Sequence, residues 1–167
     1  MAKAAATEKV AKLEPQKNEL AKGELAPTVF GRLVVDASIA IAWVHPAQAT
    51  PQTTALLERI GHGTQVVVPA LWPLEIANAL LTLERRKKLT ADERDVALKA
   101  LRALGFTTDH DMSSLAFTEL STLADTFALS VYDAAYLELA ARLKLPLACK
   151  DGALREAARQ LRLSVVP

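Results

Sequence analysis

The sequence predicts an α/β fold with a central, mostly parallel sheet of about five strands and helices on both faces. Three observations lead there. Short apolar runs, several rich in Val, alternate with stretches whose apolar residues recur at helical spacing, the pattern of parallel strands buried on both sides. Ala and Leu, 31 and 27 of the 167 residues, favour helices because both lose little side-chain freedom there. Hydrophobic residues make up 51% of the chain, enough to bury a core without cross-links.

The elements follow in order from residue 33. Leu33-Val34-Val35 is the first strand, ending at Asp36, and residues 38–44 continue as a helix. A second helix covers 51–60 and is stopped by Gly61-His62-Gly63. Val66-Val67-Val68 forms the second strand, closed by Pro69, and Leu74, Ala77, Leu80, Leu81 and Leu83 mark a helix over 72–87. Thr90, with Glu93 three residues on, caps a helix running to about residue 104. Residues 106–108 make a third strand, followed by helices over 114–127 and 131–144. Leu147-Ala148-Cys149 is the fourth strand, residues 152–161 a helix, and 163–166 the fifth strand.

Length fits one folding unit over residues 29–167, preceded by an extension, residues 1–28, in which Lys and Glu alternate and a short helix near 4–13 has few apolar residues to bury. A single cysteine, Cys149, excludes a disulfide framework and a Cys-rich zinc module, and a reducing cytoplasm is the expected setting. The start lacks the apolar core of a secretory signal, and no apolar run reaches the ~18–20 residues that span a bilayer. Net charge is +1, and residues 29–167 hold 15 basic and 15 acidic residues, so nucleic-acid binding would have to use local patches. The dense one is Arg85-Arg86-Lys87-Lys88.

Parallel sheets bind ligands beyond the carboxyl ends of their strands. Asp36 follows the first strand, Glu75 sits in the first turn of the helix after the second, Asp133 opens the helix 131–144, and Asp151 follows the fourth strand. Taken singly, each is a good helix cap or a favourable charge at a helix N-terminus. Together, two carboxylates about 4 Å apart repel by roughly 4 kcal/mol at an effective dielectric near 20. A cluster of four calls for a hard divalent ion, and all-oxygen ligands select magnesium or manganese over zinc. Such an ion can generate a nucleophile from water and stabilise charge on a phosphate.

The residues Leu33-Val-Val-Asp36-Ala-Ser38 with Trp43, Val68-Pro-Ala-Leu-Trp72-Pro-Leu-Glu75-Ile-Ala-Asn78-Ala-Leu80, Leu129-Ser-Val-Tyr-Asp133-Ala-Ala-Tyr136-Leu and Leu147-Ala-Cys-Lys-Asp151 carry a resemblance. Over residues 32–166 the chain resembles the PIN-domain ribonucleases, and most closely the VapC toxins of bacterial toxin–antitoxin pairs. The resemblance implies a three-layer α/β/α sandwich in which Asp36, Glu75, Asp133 and Asp151 converge on Mg2+ or Mn2+. Asp36, Asp133 and the metal would activate water for attack on an RNA phosphodiester, with Glu75 and Asp151 completing the site. Ser38 and Asn78 match supporting positions, and Asn78, three residues after Glu75, shares its side of the helix. The resemblance further implies an RNA substrate, a small antitoxin protein that inhibits the enzyme, and a homodimer. Where the family commonly carries Thr two residues before the last Asp, this chain has Cys149, a weaker donor that holds Asp151 less firmly.

Arg85, Arg86, Lys87, Lys88 and Lys150 are candidate RNA contacts, the first four also suiting a helix C-terminus. Asp109-His110-Asp111 reads as a polar loop. A Ser or Cys hydrolase is disfavoured by the lack of a Gly-x-Ser-x-Gly elbow, and no Walker A sequence is present. Two other uses of the same fold remain at this stage: a PIN nuclease of RNA processing without a toxin role, and a catalytically silent PIN domain that binds RNA or protein.

Overall fold

Five strands, β1 (Arg32–Val35), β2 (Gln65–Pro69), β3 (Thr107–Asp109), β4 (Leu147–Ala148) and β5 (Val165–Val166), form one sheet in the order β3-β2-β1-β4-β5. Every pairing is parallel, with Val34 in register with both Val67 and Leu147. The computed structural model describes residues 31–167, so the extension expected at 1–28 and its short helix lie outside the described residues. The chain leaves β1 toward β2 and β3 and returns on its other side as β4 and β5, which places a topological switch point between β1 and β4.

Among the described residues eight α-helices complete a three-layer α/β/α arrangement: α1 (Ala37–Val44), α2 (Pro51–Gly61), α3 (Trp72–Arg85), α4 (Ala91–Ala103), α5 (Met112–Leu115), α6 (Glu119–Phe127), α7 (Val131–Leu143) and α8 (Gly152–Gln160). Leu33, Val34 and Val35 are shut off from solvent together with nearly all of α1, so the first strand and first helix form the centre of the core. Trp43 reaches that core and still satisfies its indole, which donates to the Thr53 carbonyl at 2.9 Å. The Trp72 ring lies against Phe106 with centroids 4.7 Å apart, tying the start of α3 to the segment leading into β3. Thr90 and Glu93 form the capping box expected for α4, and Thr50 with Thr53 makes a second one at α2.

Several boundaries differ from the sequence expectation. The helix expected over 114–127 is two helices, α5 and α6, because the backbone leaves the helical region at Thr118 (φ −127°, ψ −97°). Hydroxyls bond the backbone on both sides of the break: Ser114 donates to the Asp111 carbonyl at 2.7 Å and Ser121 to that of Ala116 at 2.7 Å. Helix α3 stops at Arg85, two residues early, and Lys87 turns the chain in a left-handed conformation (φ 56°). Lys144 does the same after α7 (φ 53°), where the Leu145 N–H donates back to the Ala140 carbonyl at 2.9 Å. Strand β3 is shifted one residue to 107–109, while β4 and β5 are only two residues each.

Helix α3 offers an internal comparison, since Leu80 is 0% exposed and Leu74 is 74% exposed. Leu80→Ala should cost about 2–5 kcal/mol of unfolding free energy and Leu74→Ala under about 0.5 kcal/mol. Urea denaturation of the two variants checks both values.

Candidate active site

Asp36 is the first residue beyond β1 and is 7% exposed. Its N–H donates to the Ala148 carbonyl at 2.9 Å, locking it to the end of β4. Its carboxylate caps α1, with Oδ2 accepting from the Ser38 N–H at 3.1 Å and from the Ser38 hydroxyl. The same Ser38 oxygen accepts from the Lys150 N–H at 3.1 Å. Two loops that diverge at the switch point are thus joined through one serine.

Glu75 lies in the first turn of α3, as expected, and its Oε2 accepts from the hydroxyl of Tyr136, a fully buried side chain of α7. Asp133 sits one turn before Tyr136 on that helix. Ser130 caps α7, its hydroxyl accepting from the Asp133 N–H at 3.0 Å and donating to Asp133 Oδ2 at 2.6 Å. Asp151 caps α8, its Oδ1 accepting from the Leu154 N–H at 2.9 Å. The capping roles that suit Asp36 and Asp151 singly are therefore real, and they fix those carboxylates at the carboxyl edge of the sheet.

Three of the acids feel one another's charge. Burial pushes the Asp36 carboxyl above its usual value against the pull of Ser38, and the Asp133 charge adds to the push. Burial pushes Glu75 up to about 7, opposed by the Tyr136 hydrogen bond and reinforced by Asp36 and Asp133. Burial beside Glu75 raises the Tyr136 phenol well above its ordinary range, so it is a donor at any physiological pH. The Cys149 thiol, buried and facing the Asp36 charge, is pushed up to about 12 and stays protonated.

The donors that meet these acids are all neutral. Elsewhere the chain pairs acids with arginine: Arg142 binds Glu138 at 2.7 Å, Asp109 at 2.9 Å and Asp111 at 3.4 Å, and Arg94 binds Glu84 and Asp95. Among the described residues Asp36, Glu75, Asp133 and Asp151 form no ion pair. Nor do three His, Cys, Asp or Glu side chains there lie close enough together to hold a metal ion; each acid is instead drawn to its own hydroxyl or amide. Side-chain hydrogen bonds of Glu75, Asp133 and Asp151 fall on one carboxylate oxygen each, which leaves the second oxygen to a cation. All-oxygen donors with unbalanced negative charge fit a hard divalent ion.

The other candidates separate. Asn78 is exposed, and its carbonyl accepts from Thr82 Oγ1 at 2.8 Å, while its side chain makes no hydrogen bond among the described residues. Arg85, Arg86, Lys87 and Lys88 are all exposed at the far end of α3, about 15 Å along the axis from Glu75. Lys150 lies beside Asp151, its ammonium donating to the Gln48 carbonyl at 3.1 Å. Asp109 and Asp111 are held by Arg142, in keeping with a polar loop. Sequence reasoning assigned no role to Tyr136 and gave Ser130 only a capping role. The signal for Tyr136 was its place among Ala and Leu at helical spacing from Asp133: a buried phenol needs a partner.

The fold and the acidic edge define a class. A family model described as "PIN domain" matches residues 33–160, and the chain belongs to that family. PIN domains are generally metal-dependent nucleases. Among solved structures, "Crystal Structure of FitAcB from Neisseria gonorrhoeae" is similar in fold, at 15% identity and a TM-score of 0.54, covering 81% of this chain and 96% of that one. No curated protein sequence matches the chain. No helix among the described residues is long and apolar enough to cross a membrane.

The electrostatics predict a pH dependence. Folded Glu75 binds its proton more tightly than the unfolded residue, whose value is 4.5, so its stabilisation is complete below that value and lost as pH rises through about 7. In metal-free buffer, unfolding free energy should fall by on the order of 1–2 kcal/mol between about pH 5 and about pH 8, allowing for partial exposure of the group. Glu75→Gln should flatten much of that fall in chemical denaturation curves.

Proposed function

We propose that this chain is a Mg2+- or Mn2+-dependent endoribonuclease of the VapC toxin type, held in check by a small antitoxin protein. The observation that carries the reading is the set of three carboxylates, Asp36, Glu75 and Asp133, brought from three elements into one another's field without a basic partner. Asp151 joins them at the rim. A bound divalent ion would supply Lewis acidity toward water and toward the phosphate being cut.

The protein's own groups supply position. Ser38 holds the Asp36 carboxylate and the β4 loop in one arrangement, so the two acids flanking the switch point keep their spacing. Ser130 orients Asp133. Tyr136 fixes Glu75 Oε2, which leaves the other carboxylate oxygen turned to the ion. Lys150 and the run Arg85, Arg86, Lys87 and Lys88 offer positive charge to a polyanion that passes from the acids along α3. An antitoxin segment would quiet the site by placing a basic side chain where the described residues provide none. Homodimerisation and a cytoplasmic setting accompany this reading, as does folding of residues 29–167 as the catalytic unit.

The test is cleavage of RNA by the purified protein with magnesium or manganese, with EDTA, and with Asp133→Asn prepared in parallel. Cleavage should require the metal and disappear in the variant. Asparagine retains the backbone N–H that Ser130 caps, so the unfolding free energy of Asp133→Asn should stay within about 0.5 kcal/mol, whereas Ser130→Ala should cost about 1 kcal/mol. Cutting at the native rate by Asp133→Asn would sink the assignment.

A further inference from the structure

The chain is poor in aromatic residues, with two Trp, two Tyr and four Phe. Among the described residues Trp43, Trp72 and Tyr136 are buried, and only Phe117 and Tyr132 are exposed. Phe117 stands at the break between α5 and α6, whereas Tyr132 adjoins Asp133 in the first turn of α7 and is 63% exposed. Val131 beside it and Leu74 beside Glu75 are exposed as well. Tyr136, one turn beyond Tyr132 on α7, donates to Glu75 in the first turn of α3, so these apolar side chains, next in sequence to Asp133 and Glu75, border the acidic edge.

That border poses a problem for any phosphodiester. The acids repel the backbone, and of the cations on this side Lys150 donates to the Gln48 carbonyl and Arg155 to those of Cys149 and Pro167, which fixes their heads without cancelling their charge. The exposed basic run Arg85, Arg86, Lys87 and Lys88 lies at the far end of α3. Charge attracts phosphates without telling a paired base from an unpaired one, whereas a flat exposed ring can hold an unpaired base, because every base presents a π-face to it. We propose that Tyr132 is the positioning residue on which an unpaired base next to the scissile phosphate stacks, so that the enzyme takes single-stranded RNA. This rests on the nuclease reading above for its meaning, but not for its measurement. In a duplex both faces of the base are covered by its neighbours, so Tyr132 selects unpaired substrate.

The experiment uses the full-length chain and a fluorescently labelled, unstructured oligoribonucleotide. Anisotropy in calcium reads affinity, and cleavage in magnesium reads KM and kcat. Tyr132→Ala should weaken binding and raise KM by roughly tenfold or more with kcat little changed, and Tyr132→Phe should retain native values. An abasic nucleotide at one position beside the cut should cost the wild type a similar factor and cost Tyr132→Ala almost nothing. If Tyr132→Ala leaves affinity and KM unchanged, the stacking assignment falls while the nuclease stands, and the exposed ring belongs to a protein contact. Equal loss of kcat in the Phe and Ala variants also overturns it, since the hydroxyl would then act in the chemistry. Tyrosine-dependent binding without cleavage by the wild type would retain the platform and remove the nuclease. If the wild type neither binds nor cuts, both readings are overturned.

Discussion

A carboxylate taken out of water must be met by hydrogen-bond donors or by positive charge, and Asp36 is taken almost wholly out of water. It stands at the end of a strand whose three preceding residues are fully buried, so its position is set by the core and not by its own preference. The chain answers with Ser38, which donates to the carboxylate and accepts from the loop after β4. Much of the edge follows from that arrangement. It fixes the start of α1, joins the loops on either side of the switch point, and leaves a buried negative charge matched only by neutral groups. Backbone order and electrostatic imbalance have the same origin.

The imbalance is selective. Arg142 gathers Glu138, Asp109 and Asp111 at the end of β3, a structural clamp in which positive charge answers negative charge directly. With ten arginines in the sequence, the chain does not lack guanidinium groups; it withholds them from one place. Hydroxyls of Ser38, Ser130 and Tyr136 stand there instead, orienting carboxylates without neutralising them. Opposed to this is the burial of Glu75, which moves its titration toward neutrality. A cation arriving at the edge is therefore favoured twice, by direct attraction and by offsetting the burial and mutual repulsion that hold protons on.

Much of this was legible in the sequence, for definable reasons. Val34-Val35-Asp36 announces a buried parallel strand that ends in a charge, and the periodicity of residues 72–87 and 131–144 places Glu75 and Asp133 in first turns. What periodicity does not carry is a local departure of the backbone from helical angles, so it does not show the division into α5 and α6 at Thr118. Nor does it carry long-range partners. The contact of Tyr136 with Glu75 joins residues 61 positions apart, and Arg142 reaches Asp109 across 33. Both depend on how helices cross the sheet, which local pattern leaves open. Asn78 illustrates the converse: helical spacing places it on the side of Glu75, but spacing alone does not supply a hydrogen bond.

Strands β4 and β5 contribute two residues each, while β1 and β2 contribute four and five. The sheet is thus divided into a well-laddered half and a thinly laddered one, and the boundary runs between β1 and β4, through the acidic edge. Asp36 and Glu75 belong to the first half, and Asp151 to the second. Opening of a protein proceeds by cooperative units whose stability follows the backbone bonds and apolar contacts within them. Here the seam between two such units is the ligand edge itself. Amides of the β4–β5 unit would exchange with solvent ahead of those in β1, and Asp151 would drift from Asp36 while the rest of the molecule stayed folded. A ligand that spans both halves would act as a rivet, coupling its own occupancy to the mechanical continuity of the sheet.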